Sequence, residues 1–174
     1  MALKPLGRSA CTVSAPHRRR DWVPISVAAV TRFASGILMG TALAVLVERQ
    51  ATPFAASLVL SAYFAGLMLF APVWGAVADV TGRRRAVLVG TGALATLSVL
   101  PLVVVEGVWA PIAVRGVYAV FAAGFAPVML AIVSQRGGSE GRGRSIGGFN
   151  SARAVGFAGG QLTVGALLGL VAPD

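Results

Sequence analysis

From residue 22 onward the chain is a succession of long apolar runs broken by short polar interruptions. A helix rising 1.5 Å per residue needs about 20 residues to cross a hydrocarbon core of ~30 Å. Five segments reach that length, at about 23–47, 54–78, 86–105, 111–133 and 146–171. Nothing charged lies between Arg49 and Asp79, and the third segment is free of charge from Ala86 to Val105. Each of the others contains one arginine: Arg32, Arg115 and Arg153. The pattern predicts an all-α, polytopic membrane helix bundle over residues 22–174. Residues 1–21 form a basic tail with no period. They lack the apolar stretch of a secretory signal, so cleavage is not expected and the tail is expected to be disordered.

Composition sharpens this. Hydrophobic residues make up 56% of the 174-residue chain and charged ones 12%, where soluble domains carry roughly a quarter charged. Mean hydropathy is +0.80. Too little charge remains to keep a soluble surface wet. Disorder of the whole chain is excluded by the same figures, and a disulfide scaffold by the single Cys11. The net charge of +9 would suggest nucleic acid in a soluble protein. Here it reads as a topology signal. Lys4, Arg8 and Arg18–Arg20 in the tail, Arg83–Arg85, and Arg136, Arg142 and Arg144 put eleven basic residues on one side of the expected membrane. Arg49 stands alone on the other. Because Lys and Arg stay preferentially inside, the N-terminus is expected in the cytoplasm and the protein in the cell membrane, with the lipid bilayer rather than nucleic acid as its partner.

Small residues are dense inside the spans. Gly36/Gly40, Gly156/Gly160 and Gly165/Gly169 are GxxxG pairs, which place both glycines on one helix face and let a neighbouring helix approach closely. The stretch Gly75-Ala76-Val77-Ala78-Asp79-Val80-Thr81-Gly82-Arg83-Arg84-Arg85 sits where the second span leaves the membrane. Gly75 permits close helix approach, Asp79 can cap or pair, Gly82 supplies a turn, and the arginines hold the loop inside. Read from the residues alone, it is either a device for coupling helices or a basic hairpin that satisfies topology.

This stretch resembles the loop motif G-x-L-A-D-R-x-G-R-[RK] of the major facilitator superfamily, found between the second and third helices. Gly75, Asp79, Gly82, Arg83 and Arg84 match; Val77 and Val80 depart from it. The resemblance implies that charge contacts of Asp79 and Arg83 hold the helices in the outward-facing arrangement and release them during transport. Arg115 is similar to the start of the fourth-helix motif R-x-x-x-G, with Ala119 in the glycine position. The fifth segment resembles the exporter motif G-x-x-x-G-P-x-x-G-G, with Gly156, Gly160 and Gly165 matching and Gln161 and Val164 departing.

The resemblance implies a secondary transporter for a small molecule, by way of an exporter motif, in which two six-helix bundles rock around a midplane site. The candidate transport-path residues are Arg32, Arg115, Asn150, Arg153 and Gln161. If the first helix starts near Val23, Arg32 lies roughly 13 Å deep and faces a cavity; if it starts later, Arg32 snorkels to the headgroups. Arg115 is open to the same two readings. No span contains Asp, Glu or His in its interior, so no proton-carrying carboxylate stands out. No ligand cluster for a metal, nucleophile–base arrangement or phosphate-binding loop is evident; neither an enzyme nor a bound cofactor is expected. With five helices of a twelve-helix family, the chain is expected to be part of a transporter completed by a complementary polypeptide or further sequence. The alternatives are a transport-inactive remnant and a small regulatory or packing membrane subunit.

Overall fold

A computed structural model describes residues 22–171, and these are helical almost throughout. The tail at residues 1–21, with its five basic residues, lies outside the described residues. Helix α1 spans Trp22–Gln50, α2 Pro53–Thr81, α3 Arg84–Leu97, α4 Trp109–Ala122 and α5 Phe125–Val171. Four stretches are long and apolar enough to cross a membrane: Trp22–Gln50, Pro53–Thr81, Arg84–Val103 and Trp109–Gly138. The third joins α3 to a 3-10 turn, Leu100–Val103. The fourth joins α4 to the start of α5 across the short break at Ala123 and Gly124. The segment expected as a fifth span is helical, although it is not one of these four.

Local chemistry sets the ends. Thr52 caps α2, its hydroxyl accepting from Ala55 N at 3.2 Å, and Pro53 follows in the first turn, where its missing N–H costs nothing. Gly82 closes α2 in the left-handed conformation (φ 63°, ψ −4°). The Gly-rich stretch around Arg136 and Arg142 was expected as a connecting loop. Instead α5 is helical on both sides of one residue, Gly138 (φ 63°, ψ −167°), which divides it into a first limb, 125–137, and a second, 139–171. The corner is tight: a Cβ on Gly137 would stand 2.8 Å from Arg142 Cα.

Contacts between helices give the directions. Leu43 and Val47 of α1 pack on Ala55 and Val59 of α2, an antiparallel hairpin. Thr91 and Ala95 of α3 meet Gly124, Tyr118 and Ala122, again antiparallel. By contrast α2 runs parallel to α4 and the first limb of α5, Gly66 meeting Ala119 of α4 and Gly75 meeting Pro127 of α5. The second limb of α5 runs parallel to α1: Phe149 packs with Ile25 and Ala29, Gly156 meets Val30 and Gly160 meets Ala34. Alternating directions therefore extend through the second limb, as a further pass through the bundle requires. The α2–α3 turn and the Gly138 corner fall at one end, where Arg83–Arg85 and Arg136 gather. Arg49, at the far end of α1, lies at the other.

Candidate functional site

The middle of the bundle holds two arginines and the chain's two tyrosines. Helix α1 begins at Trp22, so Arg32 lies ten residues along it, about 15 Å down the axis. Arg115 comes from α4 and is 1% exposed. It does not snorkel. Its Nη2 donates to the Gly36 carbonyl at 2.9 Å, and its guanidinium carbon lies 3.9 Å from the Tyr63 ring centre and 5.2 Å from that of Tyr118. Such desolvated cation–π contacts contribute up to about 2 kcal/mol. They offset only part of the cost of burying a charge, and Arg115 Nε and Nη1 have no hydrogen-bond partner among the described residues.

Gly36 and Gly40 make this burial possible. A Cβ on Gly40 would overlap Arg115 Nη2 and stand 3.0 Å from Cζ, while one on Gly36 would meet Arg32, Tyr118 and Tyr63 side chains. This GxxxG pair therefore makes room for side chains, above all the Arg115 guanidinium, on the face of α1 that meets α4. At Gly156 and Gly160 the neighbour is backbone: a Cβ on either would lie 2.7 or 2.6 Å from the carbonyl oxygens of Val30 and Ala34. Gly165 and Gly169 face open space among the described residues.

Arg32 donates from Nη1 to the Tyr118 hydroxyl, and its guanidinium carbon lies 5.1 Å from the Tyr118 ring and 5.9 Å from Phe125. On its other side opens a cleft of about 670 Å³ bounded by α1, α3 and Tyr118, with Met39, Ala95, Val99 and Leu100 as apolar lining and Ser35 and Thr96 as hydroxyls. The arrangement offers one half-buried cation beside an apolar surface, backed by a second cation locked in the core.

Of the other expected path residues, none lines this cleft. Arg153 is exposed and lies over Phe33 and Phe157, at 5.4 and 5.3 Å. Gln161 is exposed and accepts from Thr41 Oγ1 at 3.4 Å. Asn150 is exposed. Sequence reasoning missed Tyr63 and Tyr118. Tyr118 follows Arg115 by three residues, one helical turn, so its place on the same face was available as a signal. Tyr63 had none, because its approach depends on how α2 lies against α4.

In the α2–α3 turn, Asp79 Oδ1 accepts from Arg84 Nη2 at 2.9 Å. This pair closes the turn on itself, five residues apart in sequence, and Arg83 is exposed. Gly82 supplies the left-handed turn, and Gly75 faces the first limb of α5 at Pro127. Trp74, one residue earlier, donates from Nε1 to the Val120 carbonyl at 2.7 Å and ties α2 to α4.

With the loop motif on a turn between the second and third helices and a buried arginine in the fourth, the wider comparison is decisive. Residues 25–172 match the sequence model of the Major Facilitator Superfamily. The chain belongs to this family. No curated protein and no solved structure matches it. Membership makes the chain a transporter-type, multi-pass membrane protein rather than a generic helical anchor, with the bilayer and a small-molecule substrate as its surroundings.

Proposed function

We propose that the chain is part of a secondary transporter that moves a small solute by alternating access, in the direction of export, with Arg32 at the solute path and Arg115 fixing the helices around it. The observation that carries this reading is the cleft beside Arg32. A half-buried guanidinium lines it, ten residues into the 29-residue α1, and intramembrane arginines mark substrate or ion pathways. Export rests on the resemblance of Gly156, Gly160 and Gly165 to the exporter motif. In that reading Asp79 and Arg84 hold the α2–α3 turn in one arrangement and part in the other. Asn150, Arg153 and Gln161 take the second limb's share of the path once further helices close around it.

Further helices come from a complementary polypeptide or continuing sequence, because rocking requires two bundles. The eleven-to-one division of basic residues supports a cytoplasmic N-terminus in the plasma membrane. The experiment is solute efflux from cells expressing the chain with and without a polypeptide supplying the remaining helices, for the wild type and Arg32→Met. Efflux only in the combined case, lost in Arg32→Met at equal membrane abundance, is expected. Efflux absent from every combination leaves the remnant or regulatory-subunit reading and overturns the transporter assignment. Cysteine labelling at Glu106 and Gly138 should report outside and inside; the reverse would overturn the orientation.

A further inference from the structure

The basic end of the bundle contains a second concavity, remote from the Arg32 cleft. A pocket of about 640 Å³ opens between the α2–α3 turn and the end of the first limb of α5. Arg83, Arg84 and Arg85 come from the turn, Gln135 and Arg136 from the limb, and Ile132 and Ala86 supply apolar surface. Topology explains why arginines occur in this loop. It does not require residues some fifty positions apart in sequence to converge on one concavity.

The charge is poorly compensated. Among the described side chains the one ion pair is Arg84–Asp79, and no carboxylate among them lines the pocket. Helix α3 starts here with no acidic residue in its first turn and no side-chain cap, so unpaired backbone N–H groups and the positive end of its dipole add to the field. Guanidinium groups pair with phosphate oxygens through two parallel hydrogen bonds. On the two helices that the turn joins, Val80 of α2 and Val89 of α3 are 88% and 70% exposed, an apolar flank to the turn suited to acyl chains rather than water.

We propose that this pocket binds the phosphate of an anionic lipid headgroup, with Arg85 and Arg136 as the principal contacts and the acyl chains lying along the apolar flank. Phosphate chemistry alone would also suit a soluble phosphate; the apolar flank favours the lipid. This site stands whether or not the chain transports anything.

The test is native mass spectrometry of the purified full chain in detergent, titrated with phosphatidylglycerol, with phosphatidylcholine, and with inorganic pyrophosphate. Wild type is expected to retain phosphatidylglycerol over phosphatidylcholine, without displacement by millimolar pyrophosphate. Each lost arginine should weaken retention by about fivefold, so R85Q/R136Q should fall about 25-fold. The control R142Q/R144Q removes two charges that do not line the pocket and should fall by less than about twofold. Should the double variant fail to fold, R136Q alone is expected to show the single fivefold step. Equal losses in control and pocket variants, or unchanged retention in R136Q, would overturn the site. Displacement by pyrophosphate would overturn the lipid as its ligand.

Discussion

Replacing Gly160 with alanine should loosen α1 from the second limb of α5, whereas the same change at Gly165, five residues on, should not. At Gly160 the added Cβ would stand 2.6 Å from the Ala34 carbonyl oxygen and 3.0 Å from Ala34 Cα. Ordinary contact begins at 3.4 Å, so the helices must part by about 0.8 Å, the difference between 3.4 and 2.6. The obstacle is backbone, which cannot rotate aside as a side chain could. A gap of that size forfeits about a quarter to a half of the attraction between facing atoms, and overpacking of this kind costs typically about 1–3 kcal/mol. Helix propensity works the other way, favouring alanine over glycine by up to about 1 kcal/mol. At Gly165 nothing lies within 4 Å of the added carbon, so only the propensity acts. Reversible unfolding in mixed detergent–SDS micelles, followed by tryptophan fluorescence, measures both. Trp22 packs against the cluster joining α1 to both limbs of α5 and reports on the interface directly. Gly160→Ala should be less stable than wild type by about 1–3 kcal/mol, and Gly165→Ala equal or more stable by up to about 1 kcal/mol. If Gly160→Ala matches or exceeds wild type, the parallel contact of α1 with the second limb is wrong.

Gly82→Ala places a Cβ at φ 63° and should cost about 1–2 kcal/mol, with Gly82→Asn milder in the same unfolding assay; equal stability of all three would refute the left-handed turn. Asp79→Asn removes a pair whose carboxylate is 67% exposed, so stability should change by no more than about 1 kcal/mol, while efflux in the combined system changes markedly if the pair gates; unaltered efflux would remove the gating role. Arg115→Lys keeps the charge but loses the planar stack on Tyr63 and should unfold more readily than wild type. Tyr63→Leu in the Arg115→Lys background should then cost much less than in wild type, and additive costs in that double-mutant cycle would show that the two side chains do not interact.

The sequence by itself determined the membrane character, the all-helical build, the end at which the basic residues of the turn collect and the loop motif, but not where the later helices begin and end: the stretch around Arg136 and Arg142 is helical on both sides of Gly138. What it determined follows from quantities that act locally: apolar length against bilayer thickness, charge near helix ends, and the few residues tolerated in a left-handed turn. It also identified Arg115 as distinctive, but left open whether the side chain reached lipid headgroups or the interior. Only the tertiary structure decided that, because orientation depends on which face of α4 meets α1 and α2. The same holds for the glycines. Three pairs share one spacing, yet one holds a guanidinium, one admits a neighbouring backbone and one meets nothing among the described residues, since spacing fixes a helix face but not what is brought against it. That Asp79 pairs with Arg84 while Arg83 stays exposed has the same origin: Gly82 turns the chain, and the geometry of that turn selects which guanidinium returns to the carboxylate.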